Sequence, residues 1–471
     1  MKRTIRVVLQ ITMVLGAGLV AAGIASLAPV RLDPEIRAPW REATRVRLEA
    51  LDREGAVGQG VLRAGFGRAT LTPALGVTGG VPARGEFSSL PLAGYGDRNG
   101  RPAAGVLDDV WVKAVALSVG SRTGVVVAAD ALIIPRDVAD AAALAVASAT
   151  GLRREQIYFG ATHTHCSLGG WGKGPVGEAF AGPFDPGVRE WFSGQLTAAI
   201  RQAVADLKPA SLGTGLFQAP SRVRNRLVGD VGPVDAGFHL IRVHQSAGGE
   251  AVIGTFGAHA TVLGSDTMQF SGDYPGAWQR AVERERGGMA LFLAGAVGSQ
   301  SPRAPQGGVE GATALGELLA METRSVLSAM SLSDSVTFGW ASVEADLPEL
   351  QNRVTDGLRL RPWLARKLLP PLASGTLLQA LRIQDAVWCS TPCDYSGELA
   401  LDLQGMACRL GLTAAVTSFN GDYIGYVIPG KYYHLDGYEP RVMSFYGPNI
   451  PGYFDGILRG LVSAVGRPAA R

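Results

Sequence analysis

Two short apolar segments, Gly124-Val-Val-Val-Ala-Ala129 and Gln156-Ile-Tyr-Phe-Gly160, decide the fold of this chain. Each has the length and the apolar character of a buried strand. Between them, Val138–Ser148 carries apolar residues at helical spacing. A strand, a helix and a second strand in succession are typical of folds in which helices cover a sheet.

The same alternation continues on both sides of these segments. Val110–Val119 is predicted as a further strand, and no composition break divides the chain after residue 61. The predicted fold class is α/β (mixed α+β), a single large layered domain with mixed sheets behind an N-terminal membrane helix. We place this domain at 61–471, after a leader at 1–30 and a connector at 31–60. Three more segments are predicted as helices: Val188–Leu207, Pro275–Glu285 and Gly311–Met330.

The composition narrows the possible functions. Of the 471 residues, 47% are hydrophobic and 18% are charged, which excludes a mostly disordered protein. Lys+Arg number 44 against 41 Asp+Glu, and this balance excludes a nucleic-acid binder that works through a basic surface. No protein partner is predicted. Cys389 and Cys393 are spaced closely enough for a local disulfide, with ordinary buried thiols as the alternative.

The first 30 residues predict a membrane segment. A basic stretch at 1–6 precedes Val7–Val30, an almost wholly apolar run with about the 20 residues that a membrane-spanning helix needs. Basic residues before the run place the bulk of the chain outside the cytoplasm, periplasmic or extracellular. The length of the run favours an uncleaved signal anchor; a cleaved signal peptide, which would make the protein secreted, is the alternative.

Three of the six histidines point to a metal. His163 and His165 follow the second strand as His-X-His, a spacing that turns two imidazoles to one side of a strand and suits zinc. His259 lies in Gly257-Ala-His-Ala-Thr261, beside a Gly-rich turn, and strengthens this interpretation. His239 and His244 are better explained as ordinary strand residues.

Other motifs carry less information. No G-x-S-x-G elbow or Walker A loop is present. Gly65-Phe-Gly67 and Gly94-Tyr-Gly96 are interpreted as turns. Leu358–Leu381, rich in Leu, is a lid, a membrane-facing element or packed core.

Several blocks together resemble the catalytic domain of the neutral (non-lysosomal) ceramidases, in the same order, from about residue 61 to about residue 455. The His-containing and Ser-Gly-Asp blocks are the specific ones. The blocks are Ala64-Gly-Phe-Gly-Arg-Ala-Thr-Leu-Thr-Pro73, Leu92-Ala-Gly-Tyr-Gly96, Val125-Val-Val-Ala-Ala-Asp130, Gly160-Ala-Thr-His-Thr-His165, Ser271-Gly-Asp-Tyr-Pro-Gly276, Gln379-Ala-Leu-Arg-Ile383, Tyr438-Glu439 and Phe445-Tyr-Gly-Pro448.

The resemblance implies a zinc amidohydrolase that uses zinc-activated water to cleave the N-acyl amide bond of ceramide, releasing a fatty acid and a sphingoid base. In this family pattern His165 would protonate the leaving amine and Tyr438 would stabilise the oxyanion. Without the resemblance, Glu398 would be a surface charge and Tyr426 a core aromatic. The residues implied are the zinc ligands His163, His259, Glu398 (in Ser396-Gly-Glu-Leu399) and Tyr426, the catalytic residues His165, Tyr438 and Ser301, and the substrate contacts Asn225 and Arg226.

The chain also departs from the family pattern. The block Asn-x-Gly-x-x-Ser-Pro-Asn reads Ala296-Val-Gly-Ser-Gln-Ser-Pro-Arg303, which keeps Ser301 and loses both asparagines. Cys166 replaces a serine, and an immunoglobulin-like C-terminal domain is not expected. Three functions therefore remain open: hydrolysis of ceramide, hydrolysis of another N-acyl lipid or a non-lipid amide, and a catalytically degenerate binding protein.

Overall fold

The computed structural model describes residues 13, 16, 18, 22–35, 37–51, 55–369 and 372–467. Its strands are β1 Leu27–Pro29, β2 Val57–Thr70, β3 Ala74–Leu75, β4 Glu86–Phe87, β5 Gly105–Val106, β6 Trp111–Val119, β7 Arg122–Ala129, β8 Ile157–Ala161, β9 Lys208–Gln218, β10 Val223–Asn225, β11 Gly237–Gln245, β12 Glu250–Phe256, β13 Gln269–Phe270, β14 Met289–Ala294, β15 Gln300–Pro302, β16 Ser335–Asp346, β17 Leu358–Leu360, β18 Gly375–Ile383, β19 Ala386–Ser390, β20 Asp394–Tyr395, β21 Thr413–Thr417 and β22 Tyr426–Val427. Its α-helices are α1 Pro39–Glu49, α2 Arg136–Thr150, α3 Gly174–Ala181, α4 Pro186–Ala205, α5 Asp273–Arg286, α6 Gly308–Ala329, α7 Pro362–Leu368, α8 Gly397–Cys408 and α9 Ile450–Val465.

The long strand β2 joins three arms of one twelve-stranded mixed sheet. The first arm is β6-β7-β8, the second is β9-β11-β12-β14, and the third is β16-β18-β19-β21. Most neighbours are antiparallel, but the outermost pair of each arm is parallel: β7 with β8, β12 with β14, and β19 with β21. The inner faces of the arms share one core, to which Val115, Ile253 and Leu381 each contribute from a different arm.

Helices cover the outer face of each arm. Helices α2 and α4 pack on the first arm, α5 and α6 on the second, and α8 and α9 on the third, each pair with its own apolar cluster. This layering buries apolar residues on both faces of the strands, as the near-continuous apolar runs in the sequence require. The predicted fold class, α/β (mixed α+β) with mixed sheets, is confirmed, and the predicted helices and strands appear with small shifts of their ends.

The interpretation of Gly65-Phe-Gly67 as a turn is wrong, because this segment lies inside strand β2. A Cβ at Gly67 would lie 2.1 Å from the carbonyl oxygen of Ala199, and one at Gly65 would lie 2.1 Å from that of Ala203. The two glycines therefore let the backbone of helix α4 lie directly against the strand. Gly94-Tyr-Gly96 does form a turn, with Gly94 at a φ of +118° that favours glycine.

We expect Gly67→Ala to lower the free energy of unfolding by about 3 kcal/mol, since the added methyl group must push the backbone of α4 away from β2. Urea denaturation measures this change. The matched control is Gly405→Ala in α8, where an added Cβ meets no atom within 4 Å and alanine favours the helix by up to about 1 kcal/mol. Equal effects of the two substitutions would contradict the close packing of α4 on β2.

The N-terminal leader lies mostly outside the described residues. Residues 22–26 are helical, but Leu27–Pro29 forms strand β1, which pairs antiparallel with β17. The last residues of the apolar run, 27–29, are therefore in a strand bonded to a neighbouring strand, and the predicted membrane segment before them lies mostly outside the described residues. Within the part of the chain that the structure describes, no helix has both the length and the apolar character needed to cross a membrane.

The segment Leu358–Leu381 divides into three pieces: β17, α7 and most of β18. Strand β18 belongs to the packed core of the third arm, whereas α7 exposes Trp363 and Leu368. The four cysteines are free thiols in the structure, so Cys389 and Cys393, both buried, follow the second of the two interpretations.

Candidate metal centre

The candidate site forms where the parallel strand pairs of the three arms end. His163 follows the carboxyl end of β8, His259 follows β12, Asp394 follows β19, and Tyr426 follows β21. Backbone hydrogen bonds join these ends. Ser418 N donates to Ala294 O, and Thr391 N donates to Thr417 O, both at 2.9 Å. The fold thus brings side chains from four distant parts of the sequence to one edge of the sheet.

Two imidazoles face each other across this site. The Nε2 atoms of His163 and His259 are 3.0 Å apart. Nδ1 of His163 lies 2.7 Å from Leu132 O, and Nδ1 of His259 lies 3.1 Å from Val297 O. Leu132 O accepts the Nδ1 proton of His163, which leaves the Nε2 lone pair of that ring directed at His259. Nδ1 of His259 also lies 3.2 Å from Arg226 Nη1, and in the tautomer whose Nδ1 proton goes to Val297 O both Nε2 atoms present lone pairs, as metal ligands do.

Burial keeps both rings neutral. It lowers the pKa of His163 to about 3 and that of His259 well below the usual value, with the charge of Arg226 adding to the effect. Neutral imidazole is the form that binds a metal.

A carboxylate and a phenol complete the set. Asp394 Oδ1 lies 3.5 Å from Nε2 of both histidines, and the Tyr426 hydroxyl lies 3.4 Å from Nε2 of His259. Four donors held at about 2.0 Å by one tetrahedral Zn²⁺ would be about 3.3 Å from one another. The spacing of these four donors fits such an ion.

The surroundings of the buried Asp394 carboxylate would favour a bound cation. Its Oδ2 accepts a hydrogen bond from the Tyr423 hydroxyl at 2.8 Å, whereas its Oδ1 has no partner among the described residues. Burial raises the pKa of Asp394 to about 7. An ionised oxygen buried without a partner is costly, and a cation bound beside it would offset that cost.

His165 lies beside this set as a third ring. One nitrogen each of His163, His165 and His259 lies within 4.8 Å of the others, so this group could hold a metal ion. Neither nitrogen of His165 has a hydrogen-bond partner among the described residues, and burial lowers its pKa well below the usual value. A Cβ on Gly94 would lie 2.7 Å from the His165 ring, which explains the glycine at that turn.

The backbone at the site is strained. His163 has a φ of 61° and Phe419 a φ of 64°, a region that L residues other than Asn and Asp seldom adopt. Their rings stack at 4.0 Å with an angle of 8° between planes. Such strained residues cluster at functional sites, and here the strain accompanies the stacking of the His163 imidazole on the Phe419 ring.

The structure does not bring Glu398 into this set. Ser396 accepts a hydrogen bond from the Glu398 N–H as the N-cap of α8, and the Glu398 carboxylate pairs with Lys431. The carboxylate that lies beside the histidines is that of Asp394, four residues before Glu398 and before the N-cap residue Ser396. Sequence reasoning missed Asp394; its one signal was a lone acid between apolar neighbours directly after a buried strand.

The two predicted substrate contacts have different surroundings. The Asn225 side chain is hydrogen-bonded to backbone groups. Its Oδ1 accepts a hydrogen bond from the N–H of Leu227 at 2.9 Å, and its Nδ2 donates one to Pro233 O at 3.0 Å. Arg226 lies at the site instead, with Nη1 3.2 Å from Nδ1 of His259 and Nε 2.7 Å from Glu439.

Ser301 and Tyr438, the two other predicted catalytic residues, also differ in their position relative to the cavity. Ser301 lies in strand β15, paired with β10, and is not among the described residues that line the cavity beside the histidines. Tyr438 does line it, and its ring is 5.9 Å from that of Tyr426.

This cavity has a volume of about 390 Å³, within the range of small-molecule sites. His163, His165, Asp394, Tyr426 and Tyr438 form its polar end. The rest is mainly apolar, with a few charged groups including Lys173 and Arg189. Its apolar lining includes Leu132, Ile133, Trp171, Val176, Phe180, Leu372, Met443 and Phe445.

The fold is shared with solved ceramidase structures. The neutral ceramidase from Pseudomonas aeruginosa superposes with a TM-score of 0.71 and 17% identity, over 87% of this chain and 76% of that chain. A ceramidase complexed with C2 gives a TM-score of 0.71 and 16% identity, over 87% and 77%. The resemblance predicted from the sequence blocks is confirmed at the level of the fold. No protein-family model matches this chain, and no curated protein sequence matches it.

Proposed function

We propose that this protein is a zinc-dependent amidohydrolase that cleaves the N-acyl amide bond of ceramide, giving a fatty acid and a sphingoid base. The observation that carries the proposal is the set of four donors, with donor–donor distances of 3.0 to 3.5 Å around His259, three of which line a largely apolar cavity. The shared fold with ceramidases supports the same reaction.

The metal would be held by His163, His259, Asp394 and Tyr426. Nitrogen and oxygen donors are typical of zinc, and with these four residues as ligands the ion would need a fifth, open position for water. Zn²⁺ bound there supplies a Lewis acid that polarises a carbonyl group and makes water a nucleophile at neutral pH.

The chain's own residues then place and move protons. Desolvation in the cavity raises the pKa of the half-exposed Tyr438 phenol, so its hydroxyl stays protonated and can donate a hydrogen bond to the amide oxygen as negative charge develops there. His165 is neutral, and a free ring nitrogen can accept a proton from the attacking water and give it to the leaving amine nitrogen as the C–N bond breaks. Arg226 pairs with Glu439, next to Tyr438, and so positions that tyrosine relative to His259.

The apolar cavity would hold an acyl chain with its amide at the histidines. Trp171, Phe180 and Phe445 are among the apolar residues that line it. Burying a methylene group there is favourable by about 0.8 kcal/mol, so chain length would contribute directly to binding.

A second candidate is hydrolysis of another N-acyl lipid or amide. Asn225 and Ser301, which the family resemblance assigns to substrate and catalysis, lie outside the cavity lining. Lys173 and Arg189 line it instead, both beside Asp137. These charged groups favour a substrate whose polar end differs from that of ceramide.

We also propose that residues 1–30 hold the catalytic domain at a membrane, outside the cytoplasm. The basic stretch at 1–6 and the apolar run that follows support this location. A lipid substrate would then be available where the enzyme resides.

The test is hydrolysis by the detergent-solubilised full chain. We expect fluorescent ceramide to release fatty acid, a zinc chelator to abolish the release, and added Zn²⁺ to restore it. A panel of N-acyl amides with charged and uncharged polar ends separates the two candidates. Zinc-loaded protein that hydrolyses none of them would contradict both and leave a binding protein.

A further inference from the structure

The end of the N-terminal apolar run is bonded to a surface beside the cavity. Strand β1 pairs with β17, and Arg361 N donates to Ser26 O at 2.8 Å. The Trp363 indole N–H donates to Ala25 O, and Arg361 Nε donates to Ile24 O, both at 3.2 Å. The apolar run therefore enters the folded domain at helix α7.

Exposed apolar side chains gather around this point. Ile24 is 68% exposed, and Trp363 is 49% exposed although its indole nitrogen is bonded. Leu358 and Leu368 are also exposed, on β17 and at the end of α7. We call these four residues the apolar rim. Water meets large apolar surfaces here that a monomeric domain normally covers.

The rim borders the cavity mouth. Leu372 and Ala373, shortly after α7, line the cavity. Helix α3 packs against α7 and supplies Val176 and Phe180 to the same lining. Val442, exposed on the turn Tyr438–Val442, lies near β17, since Arg353 in the adjoining strand bridge donates to Pro440 O at 2.7 Å.

The segment that carries three of the four rim residues is basic, although Arg366 also lines a surface pocket with Asp33, Glu35 and Glu349. The segment 358–369 contains no acidic residue, and Arg361, Arg366 and Lys367 are exposed within it. The Lys367 ammonium lies over the Trp363 ring, 5.4 Å from its centroid. A tryptophan with a bonded N–H and an exposed ring, flanked by basic side chains, is typical of the interface between lipid headgroups and acyl chains.

We propose that the apolar rim and the three cations around it dock on the surface of a bilayer that contains anionic phospholipids, and that this contact turns the cavity mouth toward the membrane. This inference rests on the proposed membrane location of residues 1–30: that segment would hold the domain to the bilayer at this same surface, and the cations match the negative headgroups. The active site would thus receive its substrate directly from the lipid phase. The inference goes beyond the proposed hydrolysis, and its test requires no turnover.

The test follows a fluorescent label on the rim. The full chain with Cys408→Ser, which removes the exposed thiol, carries an environment-sensitive dye at Leu368→Cys or, as a control, at Met321→Cys on α6, also exposed. In phosphatidylcholine–phosphatidylglycerol vesicles, we expect the Leu368 label to shift to the blue, to be quenched by a lipid-borne quencher and to resist iodide. The Met321 label should behave as in water.

Charge is tested separately. We expect Arg366→Gln or Lys367→Gln to weaken the binding of the labelled rim to the vesicles by about fivefold for each charge removed, and only when phosphatidylglycerol is present. Arg201→Gln on α4 is the control. Equal access of iodide to both labels in vesicle-bound protein would overturn the proposal. Protection of the Leu368 label that grows with protein concentration in detergent would indicate a second copy instead, and would also overturn it.

Discussion

Asp394→Asn is expected to abolish metal binding and to lower kcat/KM by about a thousandfold. The substitution keeps the volume of the side chain and removes the negative charge that lies 3.5 Å from both ligand nitrogens. A metal supplies several kcal/mol of transition-state stabilisation, and each factor of ten in rate corresponds to about 1.4 kcal/mol. Elemental analysis of the purified protein and the rise in Tm on adding Zn²⁺ measure binding without any substrate.

Glu398→Gln is the matched control, since it removes one negative charge four residues away. Its carboxylate pairs with Lys431 at the start of α8. We expect the metal content and kcat/KM of this variant to stay near those of the parent protein. Metal loss in Glu398→Gln with metal retained in Asp394→Asn would contradict the site and restore the ligand that the family resemblance implies.

The difference between these two carboxylates shows where sequence reasoning reaches its end. Both follow the buried strand β19, Asp394 by four residues and Glu398 by eight, and the Ser396-Gly-Glu-Leu399 pattern favours Glu398. What decides between them is where α8 begins. Because Ser396 caps the helix, Glu398 lies in its first turn, while Asp394 stays on strand β20 beside β22 and its Tyr426. Because the position of each carboxylate depends on a helix cap and a strand pairing, the local sequence pattern alone does not predict which of the two lies at the site.

The other predictions also divide into features set by the local sequence, which were predicted, and features set by contacts between distant segments, which were not. The helices and main strands followed from periodicity, because amphipathic spacing is a local property of the chain. His163 and His259 could be named because each lies in a distinctive short motif. Asn225 and Ser301 could not be placed, since their surroundings depend on the ribbon between β10 and β15 and on a loop that Asn225 itself bonds. Gly65-Phe-Gly67 was mistaken for a turn because close packing by α4 leaves no trace in the strand's own pattern.

The strain at His163 links the fold to the chemistry. A residue at positive φ directly after β8 turns the imidazole out of the sheet and onto the Phe419 ring, which is itself at positive φ after β21. The His163 ring thereby contacts two arms of the sheet, through Phe419 after β21 and through the Leu132 carbonyl after β7. Rigid placement of this kind keeps the donors in position before any ion arrives, which reduces the cost of assembling the site.

Tyr438→Phe is expected to lower kcat by about a hundredfold to a thousandfold with little change in KM. Its hydroxyl is the donor available for the amide oxygen, and the loss of one oxyanion donor has an effect of this size. Because the bond strengthens as charge develops, the loss falls on the transition state and leaves ground-state binding largely intact. Metal content should not change, since the Tyr438 ring touches Tyr426 only edge-on and the ligand set is complete without it. Tyr432→Phe, which removes a hydroxyl outside the cavity lining, is the control and should retain activity. Steady-state kinetics with a soluble short-chain N-acyl substrate separate kcat from KM. A variant that keeps full kcat would remove Tyr438 from the reaction and leave oxyanion stabilisation to the metal.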